Sequence, residues 1–485
     1  MTTPPPLGEM NLDDFRRCGY QLIDWIADYL EHPEQYPVLS RSQPGEIEAQ
    51  LPAQPPLQAE SLDQILADFE AILLPGVTHW NHPGFFAYFG ITGSGPGILG
   101  ELLMAALNVN AMLWRTSPAA TELETVTLDW LRQMLGLPKD LDAVIMDTAS
   151  VASMVALAAA REAVEGLEAR TKGLAGRAEV PRLRAYISEQ THSSLEKGAI
   201  TVGIGHENVV KIPTDDQFRL RPDALQTAIE ADLAAGYRPF FVCATVGTTS
   251  TTSVDPIPAI ADLAEAYRLW LHVDGAYGGI AAIVPEMRQV LAGAGRADSI
   301  VVNPHKWLFT PIDLSVFYTR RPNVLKQAFS LVPEYLRSAE TDAKTVKDYM
   351  DYGIQLGRRF RALKLWLIIR HFGHEGLAAR IREHIRLGRQ LAAWIDDSPS
   401  FERLAPTPFS TVCFRAHPPD LDEAALDHLN ETLLNAVNAT GEIFISHTRL
   451  NGHYTLRLAI GNIRSEEKHV RRAWELLQRG LSELV

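Results

Sequence analysis

The sequence predicts an α/β protein: a large domain built on a mostly parallel sheet, a smaller α+β C-terminal lobe, and a helical N-terminal segment. Three observations carry this. Between about residues 80 and 320, short β-branched or aromatic runs alternate with longer helical stretches. After "GRRFRALKLWLIIRHFG" (357–373) the pattern changes to long helices around separate apolar strands. Residues 11–31 place Leu12, Phe15, Gly19, Leu22, Ile26 and Leu30 at helical spacing. At 485 residues the chain also exceeds what one hydrophobic core serves, so more than one lobe is expected.

In chain order, the 11–31 helix is amphipathic and needs a surface to cover its apolar face. Residues 33–60, rich in Pro, Gln and Glu, read as a loop, and Ser61 caps a second amphipathic stretch over 61–73. So small a unit can hardly form its own core, which predicts packing on the body or on a second copy of the chain. The central runs "AVIM", "RAYIS", "NVVKIP", "PFFVCATV", "LWLHV", "SIVV" and "SVFYT" are continuously apolar, as strands buried on both faces of a parallel sheet are. Helices over 377–396 and 465–482, with strands over 410–416, 442–448 and 454–460, complete the C-terminal lobe. The expected domains are 1–85, 86–370 and 371–485.

A formal charge of -14 argues against nucleic acid or an anionic membrane as partner, since both reward a basic face. A small molecule fits better. Cys18, Cys243 and Cys413 are distant and odd in number, giving neither a disulfide framework nor a metal cluster, so a cytoplasmic setting is expected. The start "MTTPPPLGEMNLDDF" lacks the basic and apolar regions of a signal peptide, and no apolar run is long enough to cross a bilayer.

Four stretches bear on chemistry. Gly95, Gly97 and Gly100 match a dinucleotide fingerprint by letter, but Pro96 stiffens the loop and no acidic residue follows at the required distance; a turn into a helix accounts for them better. In "MDTASVASMVALAAAREA" (146–163) a strand breaks at Asp147, and Thr148, Ala149 and Ser150 open an alanine-rich helix. Free amides and two hydroxyls at a helix start can cradle phosphate, and simple capping explains the same letters. "LHVDGAYGG" (271–279) ends a strand on Asp274, either a ligand-facing carboxylate or a plain turn. "VNPHKWLFT" (302–310) ends the next strand with Lys306 and returns at once to apolar residues, where a cation is costly unless neutralised or used. A phosphate cradle, a carboxylate for a ring nitrogen and a lysine for an aldehyde together describe a pyridoxal 5'-phosphate site.

Seven stretches then carry a resemblance: "HPGFFAYF" (82–89), "SPAATELETVTLDWL" (117–131), "THSSLEKG" (191–198), "ATVGTT" (244–249), "WLHVDGAYGG" (270–279), "NPHKWL" (303–308) and "LGRRFRALKLW" (356–366). In these the chain resembles the group II pyridoxal-phosphate-dependent amino acid decarboxylases, most like those acting on aromatic L-amino acids. The resemblance implies a fold-type I enzyme with a seven-stranded sheet, working as a homodimer with its site at the interface. It implies Lys306 as the lysine that binds the cofactor aldehyde, Asp274 as partner of the ring nitrogen, and His192 as the imidazole stacked on the ring. Thr148, Ala149, Ser150, Asn303 and His305 fall on the phosphate side, and Thr249 and Ala276 also fall where the family holds cofactor. Tyr335 resembles the loop tyrosine that returns a proton after carbon dioxide leaves. Relatives that form an aldehyde tend to replace this tyrosine or the histidine; both are present here, which favours an amine product.

For the substrate, the resemblance implies an aromatic pocket using Trp80, Tyr88 and Phe89, with Phe85 beside them open to a plain core role. Gly357 stands where some plant relatives carry Gly or Ser and prefer indolic or phenolic acids respectively. Met112 would point to the partner's cofactor. Gly90, Ile91, Val151 and the pair Pro311–Ile312 depart from the family pattern, the first two near the substrate pocket. No metal is expected. The competing expectations are an aromatic aldehyde synthase, a decarboxylase of a non-aromatic acid such as glutamate or 2,4-diaminobutyrate, and a non-catalytic cofactor-binding protein.

Overall fold

A computed structural model describes residues 8–331 and 346–485. Each of the seven central runs forms a strand: β1 Asp142–Met146, β2 Leu183–Ser188, β3 Val209–Ile212, β4 Arg238–Thr245, β5 Trp270–Asp274, β6 Ser299–Val302 and β7 Ser315–Thr319. They make one sheet in the order β1-β7-β6-β5-β4-β2-β3. Only β7 runs against its neighbours, β1 and β6; the remaining pairs are parallel. β5 is the middle strand and is buried throughout, including its polar His272 and Asp274. The Ala149–Glu162 helix packs on this sheet through Ala152, Val155, Ala156 and Ala159, small side chains that let its axis come close.

The C-terminal lobe is an antiparallel sheet of β8 Phe401–Arg403, β9 Thr411–Ala416, β10 Ser446–Leu450 and β11 His453–Ala459, in the order β10-β11-β9-β8. Val412, Phe414, Leu456 and Leu458, alternating along β9 and β11, share a core with Leu433 and Leu477 of the flanking helices Glu423–Ala439 and Glu467–Leu484. Three details differ from the sequence reading. The strand expected at 442–448 begins only at Ser446, because the backbone of Phe444 bonds instead to Gly84 and Phe86. The Glu423–Ala439 helix and the short β8 were not anticipated. The loop at 33–60 contains the short helical turns Pro33–Gln35 and Glu46–Gln50.

One long helix, Ala362–Asp396, runs from the large domain to the C-terminal lobe and breaks at Gly373, whose φ of 65° suits glycine. The N-terminal helix Leu12–Glu31 buries only Cys18 and leaves Leu12, Phe15, Leu22 and Ile23 exposed. No helix among the described residues is long and apolar enough to cross a membrane.

Candidate active site

Sheet register brings the functional strand ends to one level: Thr245 pairs with Asp274, and Asp274 with Val301. The loops after β4, β5 and β6 therefore leave the sheet side by side. Asp274 is buried, and its Oδ1 accepts the Ala276 N–H at 3.0 Å, so the turn and the ligand-facing carboxylate are the same feature. Gly247, after β4, has a φ of 87°, and a Cβ there would meet Gly278 N at 2.8 Å; any side chain would force the neighbouring turn away.

Lys306 lies in the helical turn Pro304–Trp307 after β6. Behind it Phe89, Tyr277 and Trp307 stack, with centroids 3.9 Å and 4.6 Å apart, and Lys306 Nζ sits 5.1 Å from the Phe89 centroid. The apolar residues after the lysine thus wall the space in which its amine is held. Burial pushes that amine below its usual pKa; the charge of Asp274 opposes the shift and that of Arg457 adds to it.

A cavity of about 180 Å³ opens in front of Lys306. Thr148, Ala149, Ser150, His192, Thr249, Asp274, Ala276, Asn303 and His305 line it, as does Phe89. Thr148 caps its helix by accepting the Val151 N–H, which leaves the Ala149 and Ser150 amides without an intrahelical acceptor at the cavity wall. His305 accepts the Leu314 N–H at Nδ1 (3.0 Å), and burial with the nearby Lys306 charge drives its pKa down to about 3, so it is neutral. His192, at the mouth, accepts the Ser194 N–H at Nδ1, which puts the proton of the neutral ring on Nε2. Burial, reinforced by Lys306, holds His192 below its ordinary pKa.

Other expected residues lie elsewhere. Trp80 stacks on Phe85 (4.3 Å) and on Tyr88 (5.9 Å), and Phe85 is fully buried, in the core role left open for it. Tyr88 is 55% exposed in the left-handed region at φ 52°, and Gly357 is exposed. None of the three residues Trp80, Tyr88 and Gly357 lines the cavity at Lys306. Met112 packs with Leu113 and Met350. Tyr335 lies outside the described residues.

Sequence reasoning missed Arg457 of β11. Its guanidinium is buried over the Phe89 ring (4.6 Å), bonds Ser250 O and Tyr88 O, and keeps Nη2 unpaired. An arginine inside the apolar run "YTLRLAI" was the available signal. Thr245 was missed too. Its N–H is held at 2.7 Å by Asp255, a carboxyl that burial pushes up to about 7.

Residues 44–417 match the pyridoxal-dependent decarboxylase conserved domain. The chain belongs to the pyridoxal-dependent decarboxylases. It is 43% identical to a phenylacetaldehyde synthase of Arabidopsis thaliana, over 99% of this chain and 98% of that protein. Tryptophan decarboxylase 2 of Oryza sativa subsp. japonica is 42% identical, over 97% and 95% respectively. A crystal structure of Oryza sativa TDC with PLP and tryptamine superposes with a TM-score of 0.94 at 38% identity, covering 100% of both chains.

This decarboxylase uses pyridoxal 5'-phosphate, and its cavity fits the group. Thr245 Oγ1 and Asn303 Oδ1, both of residues that line the cavity, are buried without a partner. Such groups are costly in a finished core and ordinary in a binding site. The helix-start amides supply anion donors, Asp274 a buried carboxylate, and Lys306 a desolvated amine.

Proposed function

We propose that this enzyme decarboxylates an aromatic L-amino acid of the tryptophan, tyrosine or DOPA type, giving the corresponding amine and carbon dioxide. The observation that carries the chemistry is the buried Lys306 amine between the Asp274 carboxylate and the Phe89 face. When bound, pyridoxal phosphate supplies an electron-withdrawing ring that accepts the charge left by the departing carboxylate. Asp274 keeps the ring nitrogen protonated, and that pairing makes its own burial tolerable. Lys306 would hold the cofactor through its amine. The amides of Ala149 and Ser150, with Thr148, Asn303 and His305, hold the phosphate, while Thr249 and Ala276 bound the ring. His192 would border the ring and offer its Nε2–H at the cavity, and Tyr335 would return a proton to the carbon that lost the carboxylate.

Choice of an aromatic side chain is supported by the Phe89 ring at the cavity wall and by the names of the relatives. The exposure of Tyr88 and Gly357 in one chain supports a pocket completed by a second copy. The exposed apolar faces of Leu12–Glu31 and of Gly95–Leu107, where Leu99, Leu102, Leu103 and Leu107 are about half exposed, are what a homodimer would cover. Three buried free thiols suit a reducing, cytoplasmic setting.

The phenylacetaldehyde synthase relative supports a second reading, in which the product is aldehyde. One experiment tests both: holoenzyme incubated with Trp, Tyr, DOPA, Phe, Glu and His, with amine, ammonia and peroxide assayed together. Amine without peroxide from the aromatic acids is expected. Peroxide and ammonia matching substrate loss would establish the second reading, and turnover of Glu alone would refute both.

A further inference from the structure

The stretch "LGRRFRALKLW" carries part of the resemblance, yet only Gly357 received a role from it. Its cations explain why it matters. Arg358, Arg361 and Lys364, three residues apart, are all buried, and each meets a carboxylate from another part of the chain. Arg358 binds Glu124 at 2.6 Å and the Ile145 carbonyl at 3.1 Å, fixing the end of β1. Lys364 binds Glu101 and the Pro311 carbonyl, the latter at 2.9 Å.

Arg361 lies between them and is 3% exposed. Its Nη1 bonds Asp147 and, at 3.1 Å, Asp313. Asp147 directly precedes Thr148, Ala149 and Ser150 at the cavity wall, and Gln355 donates to its other oxygen. Asp313 directly precedes Leu314, whose N–H holds His305. One guanidinium therefore joins the two segments that meet on the phosphate side. It also compensates a carboxylate standing one residue from the place where a phosphate dianion would sit.

Resting on the reading of Thr148–Ser150 and His305 as the phosphate side, we propose that Arg361 is a positioning residue for phosphate. It neutralises Asp147, so that a dianion can be held next to it, and it ties the Asp147 and Asp313 segments together. Without Arg361 the Asp147 charge, one residue from the cavity wall, keeps only the Gln355 amide bonded to it and the charge of Arg358, which does not bond it, as an offset; like charges at short range in a partly desolvated site repel strongly.

The test compares affinity for pyridoxal 5'-phosphate with affinity for pyridoxal, which lacks the phosphate, in apoprotein of the wild type, Arg361→Gln and Arg361→Gln with Asp147→Asn. Arg361→Gln should bind pyridoxal 5'-phosphate about tenfold more weakly and pyridoxal within about twofold of wild type. Adding Asp147→Asn should bring pyridoxal 5'-phosphate back to within about threefold of wild type. A single variant that binds pyridoxal 5'-phosphate within twofold of wild type overturns the proposal. Equal losses for both compounds, which general loosening would produce, or a double variant as weak as the single also overturn it. Should the single variant not fold, the double, which leaves Asn rather than an unpaired charge at 147, decides alone: within about threefold of wild type supports the proposal, and weaker binding overturns it. A wild-type protein taking up neither compound would instead refute the cofactor site itself.

Discussion

The two ends of the central sheet are built from the same strands and behave oppositely. At the carboxyl end lies the cavity of about 180 Å³ with Lys306; at the amino end lies a groove of about 550 Å³ lined by Arg238, Arg268, Arg296, Arg320 and Arg321. Among the described residues, none lining the larger space is a lysine, histidine or cysteine. Some of its arginines are engaged by carboxylates: Arg296 reaches Asp262 (2.7 Å) and Glu265 (2.8 Å), and Arg321 lies 3.5 Å from Asp298. They also stand where the Ala149–Glu162 and Ile257–Ala266 helices end, and helix C-termini favour cations. The carboxyl end receives helix starts instead, together with a desolvated lysine and a buried aspartate. Parallel topology fixes this asymmetry, and it teaches that a desolvated amine beside a buried carboxylate marks the site where volume does not.

The largest effect expected on either edge comes from Lys306→Ala, which should remove the cofactor's protein-bound absorbance band and lower kcat by at least about a thousandfold. A persisting band would move the attachment elsewhere. Asp274→Asn, which keeps the shape of the site but not its charge, should cost about a hundredfold in kcat with cofactor still bound; a loss under tenfold would deny it the ring nitrogen.

Acid should expose a third difference. Burial holds His82, His272 and His384 at about 4 and His305 at about 3, all below the ordinary histidine value. Unfolding frees them to take up protons, so stability should fall as pH drops from about 6.5 towards 4, by roughly 1.4 kcal/mol per pH unit for each histidine. Asp255, raised to about 7, works the other way over the same range but is outnumbered. Melting of the apoprotein against pH checks this, and a flat profile would contradict the buried, neutral state of these rings.

At the amino end, Arg268→Ala should leave kcat/KM within about twofold, since surface substitutions away from a site rarely do more. A tenfold drop would make that groove functional and undo the contrast. The smallest effect is expected from Gly357→Ser. A Cβ there meets nothing within 4 Å, so melting should move by no more than about 0.5 kcal/mol, and only the ratio of Trp to Tyr turnover should change.

By itself the sequence determined the strands and the chemistry at their ends. The central runs are mostly apolar because the inner strands are covered on both faces, β5 and β6 throughout, so their positions were legible without knowing their neighbours; the edge strand β3, which carries Lys211, is covered least. Asp274 and Lys306 were legible for the converse reason, as a charge ending one buried strand and a charge in the turn just after the next. Only the tertiary structure decided what depends on partners distant in the chain. It turned the "EIFI" run toward Gly84 and Phe86 instead of into β10, brought Arg457 from the C-terminal lobe over Phe89, and set Arg361 between Asp147 and Asp313. Periodicity reports whether a residue is covered; which group covers it is fixed by packing between segments hundreds of residues apart.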